Sequence, residues 1–267
     1  MKSYDTHAHI FTKELPRAND IRYSPDYDVR AQDYITHLDN NNIDYGVLVQ
    51  VSFLGNDNSY IWDALKKYPN RFKAVAVVEP STSCEVLKDM HKSGFTGARL
   101  NLDSKALPDL KSDEYQKFFA NLKKLDWHIE LHNTDLKALI PTLLEAGLKV
   151  VVDHYGRPKG DNPLDDENLK YLLKLGKTKR VWVKLSAPYR IDKNMQGYEF
   201  AKSAIPLFLK RFEHTNLLWG SDWPHTQYED IIDYESMYQQ IRELIDKDVL
   251  HVMMYNAPKL LFSKVEV

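Results

Sequence analysis

Asp5-Thr6-His7-Ala8-His9 straddles the end of the first of eight short apolar runs, and that position carries the prediction of the fold. Side chains alternate faces along an extended strand, so His7 and His9 project the same way, with Asp5 two residues earlier on that face. Two imidazoles and a carboxylate side by side are costly to bury without partners. They suit a metal site or an acid–base site. Outward from the first run at 2–7, seven more rich in Val, Ile and Leu follow at 45–51, 72–78, 97–102, 128–132, 149–154, 181–186 and 217–221. Few polar residues interrupt them, as in parallel strands buried on both faces. Amphipathic stretches lie between. Tyr115, Phe118, Phe119, Leu122 and Leu125 keep helical spacing across 114–125, and Met237, Ile241, Leu244 and Ile245 across 234–245. Asn256-Ala257-Pro258 opens a last helix ending near Phe262. Strand–helix alternation eight times over 267 residues predicts an α/β fold, a (β/α)8 TIM barrel, as a single domain over 1–267 with a short C-terminal helix. A doubly wound open sheet is the alternative, but no GxGxxG follows the first strand.

Composition narrows the function. The apolar fraction of 43%, with sixteen Tyr and five Trp, supports a sizeable core. A formal net charge of −2 offers no basic footprint for nucleic acid. No run approaches the ~18 apolar residues of a membrane helix, so no membrane partner is expected. Cys84 is the only cysteine, so no internal disulfide forms and a cytoplasmic setting is expected. Cys84 itself is expected to be a packing residue at a helix start.

In a barrel, catalytic side chains come from the C-terminal ends of different strands. His7 and His9 end strand one; Arg99 and Asn101 end strand four; Glu130, His132 and Asn133 end strand five. Asp153, His154 and Arg157 follow strand six, Lys184, Ser186, Tyr189 and Arg190 strand seven, and Asp222-Trp223-Pro224-His225 strand eight. This convergence of titratable groups predicts an active site. His37, His91, His214 and His251 fall in helical or loop stretches, and His128 opens strand five at the end away from chemistry. The segments 12–27 and 53–60 are expected to shape the pocket.

The strand-end residues resemble the amidohydrolase superfamily, a (β/α)8 barrel with HxH on strand one, His on strands five and six, and Asp on strand eight. Here these are His7/His9, His132, His154 and Asp222. More narrowly, Gly97-Ala98-Arg99-Leu100-Asn101, Val152-Asp153-His154-Tyr155-Gly156-Arg157-Pro158, Lys184-Leu185-Ser186-Ala187-Pro188-Tyr189-Arg190 and Gly220-Ser221-Asp222-Trp223-Pro224-His225 resemble the amidohydrolase 2 family. Within it they are similar to the branch of 2-pyrone-4,6-dicarboxylate lactonase and sugar-acid lactonases. No lysine stands at the end of strand four to bridge two metals, and Lys105 lies beyond it, which disfavours a binuclear centre.

The resemblance implies a hydrolase that opens a lactone of a carboxylate-bearing small molecule. Asp222, ionised near its ordinary pKa, would take a proton from water. His7, His9 and His154 would polarise the ester carbonyl, directly or through one divalent ion. His7, His9, His154 and Asp222 suit zinc or manganese, and metal-free catalysis stays open. Asp5 either orients a histidine or bonds to backbone. Arg99, Arg157 and Arg190 would hold substrate carboxylates, with His132, Lys184, Tyr189 and His225 as further substrate-binding residues. The expected partner is an anionic small molecule, and a homo-oligomer is compatible with this. Two alternatives remain: a zinc-dependent non-oxidative decarboxylase of the same family, and a catalytically inactive ligand-binding barrel. The full charged set at the strand ends argues against the inactive barrel.

Overall fold

The computed structural model of this chain describes residues 2–19, 21–103, 105–192 and 197–262. Its strands are β1 (Tyr4–Ala8), β2 (Tyr45–Val49), β3 (Phe72–Ala76), β4 (Phe95–Asn101), β5 (His128–His132), β6 (Val150–Val152), β7 (Val181–Leu185) and β8 (Leu217–Trp219). They alternate with α1 (Ala31–Asn40), α2 (Ser59–Lys67), α3 (Cys84–Lys92), α4 (Asp113–Lys124), α5 (Leu136–Glu145), α6 (Glu167–Lys174), α7 (Tyr198–Arg211) and α8 (Tyr234–Leu244). All seven ladders are parallel and run in chain order, as the predicted barrel requires. Among the described residues no helix is long and apolar enough to cross a membrane.

Local chemistry starts several helices. Ser112 accepts a hydrogen bond from Tyr115 N at the start of α4, and Asp135 does the same for Ala138 N in α5. Asp233 and Ser236 exchange bonds as a capping box at the start of α8. The helical stripe expected in α4 buries Phe118, Phe119 and Leu122.

Strand alternation sorts the interior. Ala8, Leu48, Ala74, Ala98, Ile129, Val150, Val183 and Leu217 face outward and pack beneath the helices. Val47, Val75, Val151, Trp182 and Leu218 fill the lower barrel, together with Leu261 and Phe262. These last two belong to or follow a C-terminal hairpinless pair of helices, α9 (Lys247–His251) and α10 (Ala257–Leu261), joined by a π turn over Val252–Asn256. His128 lies at this lower end, its ring centroid 6.0 Å from that of Phe262.

The seam between β8 and β1 closes without a regular ladder. His9 N donates to Trp223 O and Asp222 N to His7 O, each at 2.8 Å. Ser221 N donates to Asp5 Oδ1 at 2.9 Å and Thr6 Oγ1 to Trp219 O at 2.7 Å. Asp5 therefore bonds to backbone, one of the two roles open to it, but it does not share the face of His7 and His9: a β-bulge pairs Asp5 with Gly46 and Ala8 with Leu48, which turns Asp5 outward toward Tyr34 and Tyr234. β6 and β8 are shorter than the runs at 149–154 and 217–221, so His154 and Asp222 stand beyond the ladders. Their φ angles are +50° and +63°. Non-glycine residues visit this region at a cost and concentrate at functional sites.

Gly220 lies at the tightest point of the seam. A Cβ there would sit 2.6 Å from His7 Cβ and 2.8 Å from His7 N, neither of which can swing aside. Gly220→Ala is expected to destabilise the protein by about 1–3 kcal/mol, the usual cost of overpacking, read as a lower midpoint of thermal unfolding. An unchanged midpoint would mean that the seam has slack.

Candidate active site

Three imidazoles surround one carboxylate oxygen at the C-terminal mouth of the barrel. Asp222 Oδ1 lies 3.6 Å from His7 Nε2, 3.4 Å from His9 Nε2 and 3.8 Å from His154 Nε2. It is buried and has no hydrogen-bond partner. Its twin, Oδ2, accepts from Tyr189 Oη and Arg190 Nε, both at 2.6 Å. The carboxylate is thus held by one oxygen and presents the other. Burial alone would raise its pKa, but the Arg190 guanidinium and the surrounding histidines hold it well below the usual carboxylate range. The expectation of an Asp222 near its ordinary pKa does not hold. Burial also pushes His154 down to about 3 and His7 well below its ordinary value, so both imidazoles are neutral at pH 7.

Hydrogen-bond partners define the proton positions. His9 Nδ1 lies 2.7 Å from Val49 O, an acceptor only, so His9 carries its proton on Nδ1 and directs a lone pair from Nε2. His154 Nδ1 pairs with Ser186 Oγ at 2.8 Å. His7 Nδ1 has two neighbours, Lys184 Nζ at 2.9 Å and Asp153 Oδ1 at 3.3 Å. With the ammonium as donor, His7 holds its proton on Nε2, which faces His9 Nε2 at 3.2 Å. With Asp153 as acceptor, Nε2 is a free lone pair.

A divalent ion fits this cluster. Metal–ligand bonds of about 2.1 Å in tetrahedral geometry put donor atoms roughly 3.4 Å apart, close to the spacing of the His7, His9 and Asp222 atoms; His154, expected as a fourth ligand, falls outside this group and clusters instead with His7 and Asp153. The unpartnered Oδ1 and the His9 lone pair are the donors such an ion needs. His132 stands apart from the cluster. Its Nε2 accepts from Arg157 Nη1 at 2.8 Å, which leaves Nδ1 to donate toward Asp153 Oδ2 at 3.4 Å. Burial, with Arg99 and Arg157 beside it, keeps it neutral.

Beneath the histidines lies a buried charge network. Arg99 Nη2 donates to Asp153 Oδ2 at 2.8 Å, and Lys184 Nζ donates to Glu130 Oε2. Above them opens a cavity of about 210 Å³. Of the predicted site residues, His9, Arg99, His132, His154, Arg157, Arg190 and Asp222 line it. His7, Lys184, Tyr189 and His225 do not; they pack behind the lining. Arg99 and Arg190, expected to await substrate carboxylates, already hold Asp153 and Asp222. Arg22, Tyr23, Ser52, Asn101, Asp103 and Thr226 also line the cavity. Of these Arg22 and Tyr23, as part of 12–27, and Asn101 had a sequence signal. Asp103 had none.

Proteins of known family resemble this chain over most of its length. A family model described as Amidohydrolase matches residues 4–262. A 2-pyrone-4,6-dicarboxylate hydrolase from Comamonas testosteroni is 31% identical over 238 residues, covering 85% of this chain and 78% of its own. A 4-sulfomuconolactone hydrolase from Hydrogenophaga intermedia is 29% identical over 236 residues, covering 86% and 77%. A crystal structure from Acinetobacter baumannii, described as a probable 2-pyrone-4,6-dicarboxylic acid hydrolase with citric acid bound, superposes with a TM-score of 0.94. It is 37% identical and covers 98% of this chain and 100% of its own.

The buried histidines predict acid sensitivity. Burial lowers His225 from 6.5 to about 4, so the folded protein leaves it neutral where the unfolded chain protonates it. The unfolded state then binds more protons, and stability falls as pH drops from about 6.5 to about 4. The loss from this group is on the order of 3 kcal/mol. His225→Asn is expected to flatten that slope in denaturant titrations across this range; an unaltered slope would place the sensitivity elsewhere.

Proposed function

The chain belongs to the amidohydrolase family, and from that premise we propose that it hydrolyses a lactone of a carboxylate-bearing small molecule. The observation that carries this is Asp222 Oδ1, unpaired among three imidazole Nε2 atoms at the floor of a cavity with guanidinium groups in its walls. The named relatives act on lactones that carry acid groups.

In this mechanism the substrate's carbonyl lies over the His7, His9 and His154 cluster and water lies against Asp222 Oδ1. His7, His9 and Asp222 are the residues that would hold a divalent zinc or manganese ion, which would supply electrophilic activation when bound. His154, which lines the cavity, can itself donate toward the carbonyl oxygen from Nε2 when Ser186 Oγ donates to its Nδ1. As water adds to the carbonyl carbon, Asp222 Oδ1 accepts its proton. The ring C–O bond then breaks, and the proton passes to the departing oxygen. The carboxylate's low pKa makes it a weak base but favours this second transfer. Arg190 and Tyr189 keep the carboxylate from rotating.

Asp222→Asn is expected to lower kcat/KM on a panel of carboxylated lactones by about 10²–10⁴, the usual worth of a positioned general base. Equal rates in both proteins would remove Asp222 from the mechanism. Release of carbon dioxide instead of a ring-opened acid would make the enzyme a decarboxylase.

His7 must exchange Lys184 for Asp153 before it can ligate a metal, so an ion here is expected to be held loosely. Protein stripped by a chelator is expected to retain lactonase activity, with zinc or manganese changing kcat/KM by less than about tenfold. Complete, metal-reversible loss would make the ion essential.

A further inference from the structure

The cations in and under the cavity are not equally available. Arg190 is paired with Asp222 at 2.6 Å, Arg99 with Asp153 at 2.8 Å, and Lys184 with Glu130. Arg22 and Arg157 share one carboxylate: Arg22 Nη1 and Arg157 Nη1 reach the same Asp103 Oδ2, at 2.7 and 2.8 Å. Among the described residues five cations thus meet four carboxylates, and the surplus charge of one lies on this triad. His132 adds none, because it accepts from Arg157 as a neutral imidazole. The triad is also reachable: the side chains of Arg22, Arg157 and Asp103 are 31%, 22% and 11% exposed, against 0–4% for Arg99, Lys184, Glu130 and Asp153.

We propose that Arg22, Asp103 and Arg157 form the subsite that recognises an acid group of the substrate, and that Asp103 determines its specificity. The proposal deepens the lactone reading, on which its substrate rests. Arg22 comes from the segment between Phe11 and Val29, whose ends are joined by backbone bonds of 3.1 and 2.8 Å. Its Nη2 also donates to Asn101 Oδ1 at 3.2 Å. The segment is fastened across the cavity mouth by Tyr23 Oη and Thr226 Oγ1 at 3.2 Å. A carboxylate or sulfonate entering here would meet the free N–H groups of both guanidiniums, the arrangement arginine uses for planar anions. Asp103 works in the opposite sense. It holds the two guanidiniums in register and repels a ligand of the same charge, so it sets how acidic a ligand must be to stay.

The test uses two variants and two ligands. For an acid-bearing lactone, Arg22→Gln is expected to raise KM roughly ten- to a hundredfold, the worth of a hydrogen bond to a charged group. The loss should fall on KM more than on kcat, and be much smaller for the same lactone as its carboxamide. Asp103→Asn should lower KM for the acid and erode discrimination against the carboxamide. Equal changes for acid and carboxamide would overturn the proposal. Calorimetry with citrate, which needs no turnover, separates the two claims. Weaker citrate binding by Arg22→Gln and tighter binding by Asp103→Asn would support the subsite even if no lactone is hydrolysed. Identical citrate affinity in wild type and both variants would overturn the subsite even if lactones are hydrolysed.

Discussion

Inside this barrel four ionised side chains have to be paired, and the geometry of the site follows from that constraint. Arg99 on β4, Glu130 on β5, Asp153 after β6 and Lys184 on β7 all point inward and are almost wholly buried. An unpaired ion in such a place costs several kcal/mol. Pairing Arg99 with Asp153 and Lys184 with Glu130 offsets that cost and also sets the neighbours. Asp153 faces His7 Nδ1 at 3.3 Å and His132 Nδ1 at 3.4 Å, and Lys184 faces His7 Nδ1 at 2.9 Å. The ring positions above are therefore governed by groups below the cavity. The choice between His7 as ligand and His7 as donor is a choice between two of those partners.

Barrel closure and site assembly are one event at the β8–β1 seam. The bond from Asp222 N to His7 O joins the residue that offers its carboxylate to the strand that carries the first two histidines. Asp222 reaches it through a left-handed backbone, and His154, Arg157 and Ala187 adopt the same conformation in neighbouring turns. These positions cluster where strands have ended and side chains must turn over the mouth. Such strain persists only where surrounding bonds over-determine it, and Asp222 has them through Tyr189, Arg190 and the seam.

Much of the fold was legible because it depends on local pattern. Val, Ile and Leu runs marked the strands, and period-two alternation put His7 and His9 on one face, but a β-bulge turns Asp5 to the opposite face, beside Tyr34 and Tyr234. The cluster of His7, His9, His154 and Asp222 was legible for the same reason, since strand-end positions converge in a barrel. Lys184 was less so. Alternation turned it inward correctly, but its depth below the cavity depends on barrel stagger and on Glu130 opposite. Arg22 was legible only as part of 12–27 and Asp103 not at all, being loop residues 81 positions apart that meet only when the β1–α1 segment folds over the mouth. Asp153 stood in plain view beside His154, yet its link to Arg99, 54 residues away, is a property of space.

By itself the sequence determined the periodicities, and with them the barrel, the inward faces and the chemical identity of the groups at its mouth. Only the tertiary structure decided which charges cancel. Coulomb interaction depends on separation in space and on burial, neither of which a string of residues states. Arg99, Arg157 and Arg190 look alike in the sequence. Folding spends two of them on Asp153 and Asp222 and leaves the third to share Asp103 with Arg22.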